Sequence, residues 1–513
     1  MDRLQVRILK NTNVRRCTIM KGRASGILLH ISSLPNQYGI GTFGKEAYEF
    51  VDFLRASGQG YWQLLPLVQT GFGNSPYQGF STFAGNPLFI NYEMLEEEGL
   101  LNRDDYKNLD YGQERSKVDF EKVTNNNLCV LRKAFSAINT NINQAIFEFG
   151  KKHHWLKNYS EFMAIKGKYN NIQWQDWPAP LKFREEQALE EIRVELKEDI
   201  EFWKFVQYTF FQQWEKLKQY TNRNGIKIIG DIPIYVSTDS TDTWENCSIF
   251  NFHENCTPRS VAGCPPDAFS KTGQLWGNPI YKWDELEKQS FKWWIERIEG
   301  CMELYDVIRI DHFRGLESYW DIPFGEETAI NGRWIKGPGM KLINAIKTSI
   351  ENVDIIAEDL GYLTADVLKL LRDSEFPGMK VLQFAFDSRE ESDYLPHNYE
   401  RNCIVYTGTH DNDTAIGWME NADEKDVALA IDYMKLNNTE GYHWGYIRAA
   451  WSTVAKLAVA PMQDFLGLDT SARMNIPSTI GHNWEWRLTE GQLKEELSTK
   501  IYSLTKTYGR LTS

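Results

Sequence analysis

A set of polar side chains sits at the ends of apolar runs, and their types suggest a chemistry. IKIIGDIPIYV (226–236) carries Asp231, and YDVIRIDHF (305–313) ends with Arg309, Asp311 and His312. VDIIAEDLG (353–361) contributes Glu358 and Asp359; CIVYTGTHD (403–411) contributes His410 and Asp411, with Asp413 just beyond. One acid at a strand end caps the next helix as readily as it does chemistry. Carboxylates at four strand ends, two of them flanked by His and one by Arg, are harder to assign to capping. Gathered together they repel, and one is driven to hold its proton. Proteins carry that cost mainly where it has a use. Cleavage of a glycosidic bond is such a use: a retaining enzyme needs a nucleophile and an acid/base about 5–5.5 Å apart, a spacing that neighbouring strands supply. The rival is a metal site. Asp, Glu and His also bind Zn²⁺ or Mg²⁺, but neither H-x-H nor H-E-x-x-H accompanies them, so no metal and no cofactor is expected.

The elements that position these residues follow from the spacing of apolar runs. Eight of them fit buried parallel strands: 24–35, 61–67, 226–236, 305–313, 353–361, 378–386, 403–411 and 456–468. Helical patterns lie between most of them, for example KEAYEFVDFLRASG, KWWIERIEGCMELY and TADVLKLLRDS. Eight strand–helix units predict a (β/α)₈ TIM barrel, with strand C-termini facing the active site. Two stretches break the alternation. About 80–220 is rich in helical periodicity and too long for a structureless loop; it is expected to be a largely helical inserted subdomain. TWENCSIFNFHENCTPRSVAGCPPDAFSKTGQLWGNP (243–279) has no periodicity and follows the third strand, where it is expected to form a lid-like loop. The catalytic domain then spans 21–513, and residues 1–20 are expected to be a flexible tail, with Met1 or Met20 as the start. GIGTFG (39–44) matches the dinucleotide G-x-G-x-x-G. It is read as a tight βα loop, because residues intervene after the strand and the next strand lacks a terminal acid.

Composition narrows the partners. The chain has 513 residues and a formal net charge of −13, so nucleic acid and anionic membrane are poor partners. No run reaches the roughly 18–20 apolar residues of a membrane helix. Seven scattered Cys without C-x-x-C fit free thiols in the cytoplasm. Aromatics make up 13%, with 18 Trp. Flat rings fill cores and also pack on the apolar faces of sugars.

At these residues the chain resembles a known family. RIDHFRG, AEDLG and THDND are similar to segments of the 4-α-glucanotransferases (amylomaltase, or disproportionating enzyme), within the α-amylase superfamily. ASGILLHISSLP, GFGNSPYQG, STFAGNP, GDIPIYV, VAGCPPDAFSKTGQLWGNP and RMNIPST extend the likeness from about residue 20 onward. The resemblance implies Asp311 as nucleophile, Glu358 as acid/base and Asp411 as a further catalytic acid that stabilises the transition state. It implies that Arg309 orients Asp311, that His312 and His410 bind sugar hydroxyls, and that Tyr77 stacks beneath the same ring. Asp231, Trp276, Asn278 and Asn475 are implied to bind substrate. Maltodextrins and other α-1,4-glucans would be donor and acceptor. A hydrolase of the same superfamily and a non-catalytic glucan-binding protein remain as alternatives. One departure stands out: where the family pattern continues RMN-P with Gly, this chain has Ser478, which matters if the position needs a positive φ.

Overall fold

Each of the eight apolar runs forms a strand in the structure, a computed structural model describing residues 22–266, 270–361 and 363–512. The strands in chain order are β1 (Ala24–Leu28), β2 (Tyr61–Gln63), β3 (Lys227–Ile232), β4 (Ser260–Cys264), β5 (Gln274–Pro279), β6 (Val307–Ile310), β7 (Ser318–Pro323), β8 (Arg333–Lys336), β9 (Ile355–Ala357), β10 (Gly378–Val381), β11 (Cys403–Tyr406) and β12 (Leu457–Pro461). Eight of them join one sheet in the order β10-β11-β12-β1-β2-β3-β6-β9, with every pairing parallel. The sheet curls until its ends meet. Ala357 N donates to Pro377 O at 2.9 Å, and Met379 N donates to Asp359 Oδ1 at 2.6 Å across the β9–β10 seam. Asp359 therefore closes the barrel at a joint the ladder leaves open. The fold is the expected (β/α)₈ barrel.

The strands are shorter than their apolar runs because the chain turns while still buried. After β1 it enters a 3₁₀ turn at Ile31–Ser33, all three residues buried. Both faces of the barrel strands are covered, so they show no alternation: Ile228, Ile229, Val307, Ile308, Ile356, Val405 and Val459 are all buried. Helix Lys45–Ala56 buries Phe50, Val51 and Leu54, and helix Lys292–Leu304 buries Trp294, Ile298 and Cys301. Within GIGTFG, Gly39 has φ +79°, and a Cβ on Gly41 would lie 1.9 Å from Ile31 O. The glycines serve a close approach of the chain to itself, as the tight-loop reading requires.

Between β2 and β3 the chain runs through helices Phe120–Ser136, Thr140–Lys152, Trp155–Lys168, Glu186–Glu195 and Lys197–Arg223. The last, 27 residues long, buries Phe202, Phe205, Val206, Phe210, Trp214 and Leu217 along one stripe. The aperiodic stretch 243–279 contains two strands, β4 and β5. With β7 and β8 they form an antiparallel sheet in the order β5-β4-β7-β8. No helix among the described residues is long and apolar enough to cross a membrane. Cys129, Cys247, Cys256, Cys301 and Cys403 are free thiols. Residues 1–20, expected as a tail, lie outside the described residues.

Candidate active site

Parallel pairing of β3 with β6 sets Asp231 opposite Arg309. Both side chains are buried, and the Arg309 guanidinium is ion-paired to Asp231 through Nη1 and Oδ2. The same Nη1 lies 3.3 Å from Asp311 Oδ1. Asp311 follows Arg309 by two residues and so shares its strand face. The Tyr77 hydroxyl donates to Asp231 Oδ2 at 2.7 Å. A single chain of contacts thus runs Tyr77–Asp231–Arg309–Asp311. Burial opposes the charge on Arg309, but the carboxylates of Asp231 and Asp311 outweigh it and hold its pKa well above the ordinary value. Burial drives Asp311 upward; Arg309 pulls it down, while Asp231, Glu358 and Asp411 add to the rise.

Glu358 follows β9 and is held by backbone. His312 N donates to its Oε2 at 2.6 Å and Leu360 N to its Oε1 at 2.8 Å. His312 makes its bond from a left-handed conformation, φ +53°, a strained geometry of the kind that collects at functional sites. Burial pushes the Glu358 pKa up to about 7, against the pull of Arg309 and of those two N–H donors. Glu358 lies against residue 312, next to Asp311 in the chain, so the two acids share one pocket and their protonation is linked. Arg309, in direct contact, favours the Asp311 anion, but burial wins and the Asp311 pKa stands well above its ordinary value.

On the far side, Asp411 Oδ1 accepts from Asn475 Nδ2 at 2.6 Å and lies 3.3 Å from His410 Nε2. The His410 ring stacks on Tyr77, centroids 5.1 Å apart and 18° between planes. Burial lowers the pKa of both His410 and His312, the latter to about 3. Both rings are therefore neutral at pH 7. Trp276 stands edge-on to His312 at 4.8 Å. Asp231, Arg309, Asp311, His312, Glu358, His410, Asp411, Tyr77, Trp276 and Asn475 are thus brought together. Asn278 differs in kind: its amide donates to Val236 O at 2.8 Å and accepts from Gln78 Nε2 at 3.2 Å.

A family profile described as 4-alpha-glucanotransferase matches residues 29–494. The chain belongs to the 4-α-glucanotransferase family. A 4-alpha-glucanotransferase of Clostridium butyricum is 52% identical over 485 residues, 94% of this chain and 100% of that protein. One from Streptococcus pneumoniae serotype 4 is 47% identical, covering 96% and 98%. Among solved structures, the amylomaltase of Streptococcus agalactiae in complex with acarbose superposes with a TM-score of 0.94 at 42% identity, covering 96% of this chain and all of that one. The chain is an enzyme of this family, with 4-α-glucanotransferase activity.

Other residues of the pocket escaped sequence reasoning. Trp484 packs near Tyr77 and His410, with centroids 5.9 and 5.8 Å away. Arg473 Nη2 donates to the Asp411 carbonyl at 2.5 Å. Arg473 sits in the RMNIPST segment, so the motif pointed to it; Trp484 had no local signal. Asp413 accepts from the Thr470 hydroxyl at 2.8 Å and from Thr414 N at 2.8 Å, so it braces the loop. Among the described residues no three Asp, Glu, His or Cys side chains form a metal-binding group.

Proposed function

We propose that this 4-α-glucanotransferase works by retaining double displacement through a covalent sugar on Asp311. In the first half, an Asp311 carboxylate oxygen attacks the anomeric carbon of an α-1,4-glucan. The bond to the departing chain breaks, and Glu358 gives its proton to the leaving oxygen. In the second half, the 4-hydroxyl of an acceptor sugar passes its proton to Glu358. Its oxygen then attacks the same carbon and breaks the ester to Asp311. Two inversions restore the α-linkage.

The observation that carries this reading is the unequal support of the two acids. Asp311 has the guanidinium of Arg309 at 3.3 Å, which favours the anion. Glu358 is buried with a pKa near 7, suited to lending and recovering a proton near neutrality. Asp411, aimed by Asn475 and His410, would bind hydroxyls of the reacting ring and stabilise positive charge on it. His312 and His410, both neutral, supply hydroxyl partners; Tyr77 and Trp276 supply apolar surface. Asp231 would act chiefly through Arg309 and Tyr77. Maltodextrins are the proposed donor and acceptor, supported by the family's activity. The stretch 243–279 would cover the pocket, supported by the contact of Trp276 with His312. Free thiols and the absence of a spanning helix among the described residues support a cytoplasmic setting.

Purified protein given maltotriose tests this reading, with products separated by chain length. Glucose plus a ladder of longer oligomers is expected from the wild type, and neither from Asp311→Asn, which should still bind the sugar. Only shorter sugars would mean that water is the acceptor. A ladder from Asp311→Asn would remove Asp311 from the mechanism.

A further inference from the structure

β5 is the outer strand of the small antiparallel sheet, and part of it leaves the ladder. Val261 pairs with Pro279 and Gly263 with Leu275, with the register shifting between them. Trp276, Gly277 and Asn278 therefore stand opposite Ala262 alone. A bulge of this kind re-aims a side chain and gives up ladder hydrogen bonds. Sheet pairing does not hold Trp276 in place, yet its ring is set edge-on against His312, whose N–H holds Glu358.

The missing support comes from the segment after β3. Asn278 Nδ2 donates to Val236 O at 2.8 Å, and the Thr238 hydroxyl donates to Gly277 O at 2.9 Å. Asn278 Oδ1 also accepts from Gln78, next to Tyr77. Segment 236–239 is itself fixed by the helical region between β2 and β3. Thr238 O accepts from Trp174 Nε1 at 3.0 Å and Gln175 Nε2 at 2.9 Å. Buried Lys166 meets Asp239 at 2.6 Å.

We propose that Asn278 and Thr238 are positioning residues that clamp the bulged Trp276 over the pocket and so set how well acceptor sugar outcompetes water. The inference rests on the proposed glycosyl enzyme and on Trp276 lining the pocket. It reassigns Asn278 from a sugar contact to a brace. The second half-reaction is the sensitive one, because an acceptor must be held in place of water. The first half depends on Asp311 and Glu358, which the clamp does not touch.

Thr238 is half-buried and Asn278 is buried, so variants of Thr238 disturb the fold less and are the ones used to test the clamp. Thr238→Val keeps the shape and removes the donor; Thr238→Ser keeps the donor. With maltotriose as donor and glucose as acceptor, Thr238→Val should raise the acceptor KM and the hydrolysed share about two- to tenfold, the worth of one hydrogen bond. Turnover of an α-glycosyl fluoride in its first step should stay within about twofold, and Thr238→Ser should restore wild-type partition. Unchanged partition in Thr238→Val, equal losses in both half-reactions, or no rescue by Ser would overturn the clamp. Trp276→Ala separates the two levels. If it shifts partition while Thr238→Val does not, the clamp alone fails; if Trp276→Ala shifts nothing, the reading of Trp276 fails with it.

Discussion

Replacing Arg309 by Met would leave Asp231 and Asp311 without their shared cation. At 3.3 Å and an effective dielectric of about 20, one such pair is worth about 5 kcal/mol. The Asp311 side chain is 30% exposed, and solvent screening reduces that figure; half of it, about 2.5 kcal/mol, is nearly 2 pK units at about 1.4 kcal/mol each. The sign is upward, since losing a neighbouring cation favours the neutral acid. Asp311 would then hold its proton to higher pH, and kcat/KM at neutral pH should fall, with about 100-fold as the ceiling that 2 pK units set. Arg309 also restrains Glu358, so that pKa rises too. The acid limb of the pH–rate profile, set by Asp311, and the alkaline limb, set by Glu358, should both move to higher pH. Activity lost at neutral pH should partly return on raising the pH. The protein should remain folded, because a buried carboxylate left unpaired takes up a proton rather than persisting as a charge; thermal unfolding checks this. A uniform loss with both limbs in place would refute the electrostatic role of Arg309 and leave only a steric one.

Two further outcomes follow from particular residues. Glu358→Gln should lower transfer from maltotriose about 10²–10⁴-fold and remove the alkaline limb near pH 7; a limb that survives would belong to another group. Ser478 has φ +64°, so Ser478→Gly should relieve left-handed strain of about 1 kcal/mol, less the entropy that glycine adds to the unfolded chain. A rise in Tm of about 1 °C is expected in a chain of this size, and a fall in Tm would show that the loop gains nothing from glycine there.

Local pattern carried much of this protein. Eight apolar runs with helical spacing between them were enough for the barrel, because strand and helix formation depends on residues close in the chain. The strand ends then named the acids, since a barrel presents those ends on one face. Ser478 was marked by motif alone, and its positive φ agrees. Which acid does what was beyond local pattern. Asp359 and Glu358 are adjacent in sequence, yet Asp359 turns to the Met379 N–H at the barrel seam while Glu358 turns to the His312 N–H in the pocket. Asp413 looked like Asp411 but braces a loop. Asn278 lies in a motif that implied sugar binding, and only the structure shows its amide bonded to Val236 O and Gln78 Nε2. The two strands within 243–279 were invisible because β4 takes its second partner, β7, from far along the chain, and β5 bulges out of its ladder with β4. The amino-acid sequence by itself determined the barrel, the family and most of the polar side chains that meet in the pocket. Tertiary structure decided which oxygen meets which N–H or guanidinium, because most of those contacts join residues tens to hundreds of positions apart and depend on strand register, which no local run encodes.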